Sequence, residues 1–199
     1  MQLLKTKWRT EPDYTYICDQ FKSMRQDLTV QHVKNSFTVL VYETHARIAL
    51  EKGDIGEFNQ CQCQLKELYE EGIAGSTEEF TAYRMLYFIM ARSRTDINKM
   101  LSELREEDKK GAVTHAQEVR SAVALRNYCK VFVLYGSCPN MGVYLMDHFV
   151  KRERTLALRA MCAAYVLSPL PSFGSPKHLS FETICLPLLD IAQTSLYHL

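Results

Sequence analysis

Cys61 and Cys63, separated by one glutamine, come nearest in this chain to the type and spacing of a metal-binding pair. On a helix, residues two apart point to nearly opposite sides, so these thiols cannot grip one ion together and are expected to serve packing. His45 lies in Glu43-Thr44-His45-Ala46-Arg47, which lacks the second histidine four residues on that a zinc-binding helix requires. It reads as a helix-face histidine satisfied by a neighbour. The acid pairs Glu70-Glu71, Glu78-Glu79 and Glu106-Glu107 fall at helix ends among other charges. Nothing there suggests the burial that would tune one carboxyl against the other, so they read as solvated or capping groups. No nucleophile elbow and no phosphate-cradling loop is present, since the glycines are scattered singly. No catalytic residue, cofactor-binding residue or metal ligand is therefore assigned, no cofactor or small-molecule substrate is expected, and the chain reads as a binding protein rather than an enzyme.

One basic cluster stands out. Lys151, Arg152, Arg154 and Arg159 lie on or just before one predicted helix, with only Glu153 interrupting the positive charge. Such a run could meet RNA phosphates, and these four residues form the candidate RNA-binding set. The competing reading is a solvated helix face or ion pairs with a neighbouring acidic helix. Tyr144 and Phe149 nearby read as core residues, not as base-stacking platforms.

The elements that would position these residues are helices. From 35 to 50 the residues Phe37, Leu40, Val41 and Ile48, with Thr44, recur at helical spacing and predict an amphipathic helix. Gly53-Asp54 breaks it, and Phe58, Cys61, Leu65, Leu68 and Tyr69 form the stripe of a second helix, antiparallel to the first. Ser76 and Glu79 read as a capping box opening a helix from 77 to 92, apolar over most of its circumference. Further helices are expected from 96 to about 107, then as its pair the segment carrying Val113, Ala116, Val119 and Val123, then from 140 to 150 and from 151 to 165. The turn at Arg126-Asn127 echoes the one at Gly53-Asp54 after 73 residues, an offset of about two helix-turn-helix repeats of roughly 34–40 residues each.

Composition agrees. A chain of 199 residues, 47% hydrophobic, can bury a core. Its 24 basic residues nearly cancel 23 acidic ones, so any contact with nucleic acid must come from a local patch. The seven cysteines lack paired spacing, which suits a reducing compartment. No apolar run of signal or membrane-spanning length is seen, so no membrane partner is expected and a nuclear or cytoplasmic location is.

Three ordered stretches go further. Residues Tyr16 to Gln31, built around Arg25-Gln26-Asp27-Leu28, and Val41 to Arg47 followed by Glu57-Phe58-Asn59-Gln60-Cys61-Gln62, resemble the Sac-three/GANP family, in particular its branch with plant homologues and the animal leukocyte receptor cluster member eight protein. Weaker similarity continues through Phe80 to Tyr83, Glu106 to Lys110, Arg120 to Val123 and Pro139 to Met141, about residues 14 to 165 in all. The resemblance implies an all-α PCI/TPR-like right-handed solenoid of stacked helical pairs, capped by a winged helix and acting as a scaffold in nuclear mRNA processing and export. It implies as partners a second PCI-domain protein and a small acidic Dss-one/Sem-one-type peptide, with RNA as a further candidate. The domain reading is a flexible N-terminus over 1–12, a helical-repeat part over 13–166 and a divergent or truncated tail over 167–199. That tail is too short for a winged helix and leaves open a truncated isoform that competes for partners.

Overall fold

The computed structural model describes residues 1–10, 13–104 and 111–166. Within them the chain is all-helical, in the order α1 (Gln2–Thr10), α2 (Tyr14–Val30), α3 (Ser36–Lys52), α4 (Ile55–Glu70), α5 (Thr77–Ala91), α6 (Arg94–Glu103), α7 (Gly111–Ala124), α8 (Tyr128–Gly136) and α9 (Gly142–Val166). No described helix is long and apolar enough to cross a membrane.

Local sequence sets the helix starts. Asp13, Asn35, Asp54 and Asn127 each accept a hydrogen bond from the backbone N–H three residues on, satisfying one of the donors a helix start leaves without a partner. Helix ends repeat one motif. At Gly53 the left-handed residue donates to Leu50 O, the next N–H returns to Ala49 O, and Ile55 N–H donates to Gly53 O. At Arg126, 73 residues later, the same bonds run to Val123 O, Ala122 O and Arg126 O. The two turns are superimposable in hydrogen-bond pattern, which bears out the repeat read from the sequence. His32, Gly72 and Arg92 close their helices in the same way.

The helices pack in pairs, α3 against α4, α5 against α6 and α7 against α8, and α5 is also covered by α7 and α9. The main core runs through Phe58, Leu65, Phe80, Tyr83, Leu86, Leu145 and Phe149. A second, smaller core of Ile17, Phe21, Val41 and Ile48 lies under α1 and α2.

Several expectations need correction. α3 is wedged between both cores, so it buries Val39, Tyr42, Ala46 and Leu50 on one side and Val41 and Ile48 on the other. Phe37 and Leu40, placed on the buried stripe by periodicity, are about two-fifths exposed at 44% and 40%. A helix apolar on two faces has no single stripe for periodicity to find. Residues 2–10, read as flexible, form α1, whose Leu4 and Trp8 pack on the smaller core while Trp8 Nε1 donates to Glu51. α6 pairs with α5 and not with α7. The helices expected on either side of residue 150 are one continuous helix, since Lys151-Arg152-Glu153-Arg154 is polar but contains no helix breaker. The tail from 167 and its relation to a winged helix lie outside the described residues.

Candidate functional site

The structure gathers arginines where the sequence shows them far apart. A groove of about 620 Å³ opens between the C-terminal end of α5, the start of α6, the end of α7 and the middle of α9. Its floor is aliphatic, from Ile89, Ile97, Val123 and Leu156, and its rim carries Arg92, Arg94, Arg120, Arg126 and Arg152. A smaller hollow of about 410 Å³ continues it along α9 and adds Tyr128 and Arg159. Glu153, itself buried, is the acid in both linings.

Arg152 is committed to the fold. Its Nε donates to Glu153 Oε1 at 3.0 Å, its other nitrogens reach Ile89 O and Met90 O at 3.4 Å each, and its guanidinium lies 5.6 Å from the Phe149 ring centre. It thereby closes the C-terminal carbonyls of α5, where a cation is favoured by the helix dipole. Arg92, Arg94, Arg120, Arg126 and Arg159 make no ion pair with any described residue.

Two of these arginines sit in backbone geometry that favours glycine: Arg92 at φ 58° and Arg126 at φ 54° are the left-handed residues closing α5 and α7. The repeat partner of Arg126 is Gly53. A side chain there costs about 1–2 kcal/mol relative to right-handed geometry, and His32 and Asn140 adopt the same left-handed angle outside the groove.

Of the four basic residues singled out in the sequence, the groove takes one. Arg152 lines it, Arg159 lines the adjoining hollow, Lys151 is exposed outside both linings, and Arg154 is half-buried with its Nε unpartnered among the described residues. They are not one face. Arg92, Arg94, Arg120 and Arg126 escaped sequence reading because they come singly from three helix ends and one helix face. The one usable signal was Arg126 standing where its counterpart 73 residues earlier is Gly53.

The remaining candidates divide. Cys61 is buried and Cys63 exposed, on opposite sides of α4 as helical geometry requires. Glu70 and Glu71 pair with Lys66 and Lys34 at the surface, and Glu78 accepts from Ala112 N–H at the start of α7, all in keeping with solvated or capping roles. Glu79 departs from that reading, since it is partly buried and held by Arg47 and Tyr83. The capping box is not formed either: Ser76 makes no side-chain cap, and instead its N–H and Oγ donate to buried Glu43 at 2.6 and 3.1 Å. Glu106 and Glu107 lie outside the described residues. His45 is also a correction. It is fully buried, its ring stacks on Phe21 at 5.1 Å, and neither ring nitrogen has a hydrogen-bond partner among the described residues.

Comparison with known proteins fits this architecture. The profile of the SAC3/GANP family matches residues 2–184. The chain is 61% identical over 166 residues to a THP3 homologue of Schizosaccharomyces pombe, covering 83% of this chain and 42% of that protein. It is 51% identical over 166 residues to a leukocyte receptor cluster member 8 homologue of Xenopus laevis, covering 83% of this chain and 21% of the relative. It is 49% identical over 154 residues to SAC3 family protein A of Arabidopsis thaliana, 76% of this chain and 15% of that protein. The chain thus spans less than half the length of these relatives. The match from residue 2 to residue 184 places the chain in the SAC3/GANP family.

Proposed function

We propose that this chain is the helical-repeat part of a non-catalytic scaffold acting in nuclear mRNA processing and export by protein-protein assembly, and that its arginine groove receives an acidic peptide. The groove is the observation that carries the reading: four guanidinium groups without an acid partner among the described residues, those of Arg92, Arg94, Arg120 and Arg126, line it beside an aliphatic floor, and Arg159 lines the adjoining hollow. Guanidinium forks suit carboxylates, and the floor suits apolar side chains between them. Membership of the SAC3/GANP family supports the setting. A second PCI-domain protein and a small acidic peptide of the Dss-one/Sem-one type are the partners proposed with it.

RNA is the second reading, favoured by Lys151 and Arg159, which extend positive charge along α9. The groove lacks an aromatic platform apart from Tyr128, which argues for peptide over single-stranded RNA. Titrating a fluorescent acidic-apolar peptide and a single-stranded RNA against the full chain, over a range of salt, separates the two. Peptide binding that falls on Arg92→Glu and Arg120→Glu supports the first reading. RNA binding that falls instead, with a salt slope shallower by roughly 0.7 for each phosphate no longer neutralised, supports the second. Unchanged affinity for both in these variants rules out the groove. Recovery of no PCI-domain protein on this chain from nuclear extract would count against the scaffold.

A further inference from the structure

His45 is the least satisfied polar group in the described structure. A buried imidazole with both nitrogens idle forfeits its hydrogen bonds to water and gains none in return, and such groups in native proteins call for an unseen water or ion. The group nearest to it has the right chemistry for an ion. Cys18 from α2, His45 from α3 and Glu57 from α4 are all buried, and one ligand atom from each lies within 4.8 Å of the other two.

We infer that Cys18 Sγ, a ring nitrogen of His45 and a carboxylate oxygen of Glu57 form a binding site for one Zn²⁺ ion. Bond lengths of about 2.0–2.3 Å set the ligand atoms of a tetrahedral zinc site roughly 3.3–3.7 Å apart. Reaching that spacing from at most 4.8 Å asks for small side-chain rotations. A thiolate, an imidazole and a carboxylate together select zinc or cobalt over magnesium or calcium, which take oxygen ligands.

The surroundings both hold and tax the site. Lys22 Nζ lies 3.1 Å from Glu57 Oε1, and Arg25 Nη2 donates to Oε2 at 2.8 Å while Nη1 reaches Cys61 Sγ at 3.0 Å. These contacts fix the carboxylate in place as outer-shell partners of metal ligands commonly do, and its oxygens keep lone pairs for a metal. Two cations beside the site disfavour a dication. Loss of the Cys18 proton to solvent on binding supplies a compensating negative charge, with one proton released per ion bound.

The test is metal binding by the whole purified chain, stripped with chelator and reloaded with one equivalent of Zn²⁺ or Co²⁺. One tightly held ion per chain is expected, with a water as fourth ligand, a thiolate-to-cobalt charge-transfer band and the intense visible bands of a four-coordinate ion. X-ray absorption of the zinc form should give one sulfur with nitrogen or oxygen neighbours. Cys18→Ser should abolish the charge-transfer band and weaken binding by roughly 100-fold or more, above what outer-shell changes usually cost, while Cys63→Ser leaves both unchanged. A folded wild-type chain that retains no ion overturns the site. So does a first shell with no sulfur or two, a readout on wild-type protein that stands even if Cys18→Ser fails to fold.

Discussion

Arg47 holds Glu79 through two parallel hydrogen bonds, Nε to Oε1 at 3.0 Å and Nη2 to Oε2 at 2.6 Å, and so ties α3 to the first turn of α5. The same Oε1 accepts from Tyr83 at 2.7 Å, and the Tyr83 hydroxyl in turn accepts from Met141 N–H at 2.9 Å, just before α9. Burial acts to raise the Glu79 carboxyl, but hydrogen bonds from Arg47 and Tyr83 and the charge of Arg47 outweigh it and hold it below its ordinary range. A depressed folded value means that the stabilisation is complete above the unfolded value of about 4.3 and is lost as pH falls through the folded one. Glu79→Gln should cost roughly 1.5–3 kcal/mol at neutral pH and flatten the loss of stability on acidification. Urea midpoints measured from neutral pH to about pH 3 check this, and an unaltered acid limb in the variant would contradict it.

Gly75 has no room for a side chain. A Cβ there would lie 2.6 Å from Val39 Cγ1 and 2.8 Å from both Glu43 Oε1 and Tyr69 Cε1. Gly75→Ala should therefore cost roughly 1–3 kcal/mol by prising apart the Glu43 carboxylate and its Tyr69 and Ser76 donors. Gly56→Ala is the contrast. Its nearest neighbour would be Asp54 Oδ1 at 3.5 Å, an ordinary contact, so it should be neutral or gain up to about 1 kcal/mol. Denaturant unfolding of both variants decides the matter.

Phe58, Leu65 and Tyr83 sit in the main core, at 0%, 0% and 1% exposure. Truncation of any one to alanine should cost roughly 2–5 kcal/mol. Tyr83→Phe should keep the ring packing against Phe58 and Phe80 yet lose the bonds to Glu79 and Met141. Comparing its melting temperature with that of Tyr83→Ala separates ring packing from the hydroxyl network, and equal losses in the two would show that packing contributes little.

Arg92→Gly and Arg126→Gly should separate folding from binding. Glycine relieves the left-handed backbone at both helix ends, so each variant should be unchanged or more stable by up to about 1 kcal/mol. Each also removes a rim charge, so affinity for a polyanionic ligand should fall. Thermal melts paired with peptide and RNA titrations read both effects. A loss of stability with unchanged affinity would mean that these arginines serve the fold alone.

Much of the fold was legible because its signals are local. The turns at Gly53-Asp54 and Arg126-Asn127 rest on residues a few positions apart, and the structure keeps them. The sequence failed where a distant helix competes for a group. Ser76 and Glu79 have the right spacing for a capping box, yet Glu43 and Arg47 bind them more strongly from α3. Phe37 and Leu40 fit one helical stripe, but α3 is covered on two other faces. The groove was the least legible part, because Arg92, Arg94, Arg120 and Arg126 share a rim only after α5, α6 and α7 have packed. The candidate zinc ligands likewise come from three different helices, with no spacing that sequence alone could weigh.

The duplicated turn works as a control experiment built into the chain. Two copies of one hydrogen-bond pattern stand 73 residues apart, one closed by Gly53 and the other by Arg126. Gly53 has nothing within 4 Å of where a Cβ would stand, so steric space does not dictate its identity; its backbone angle does. Arg126 meets the same angle with a long charged side chain on the groove rim. Backbone demand is common to both copies and cancels on comparison, leaving the side chain as the difference between a turn that only folds and a turn that also offers charge.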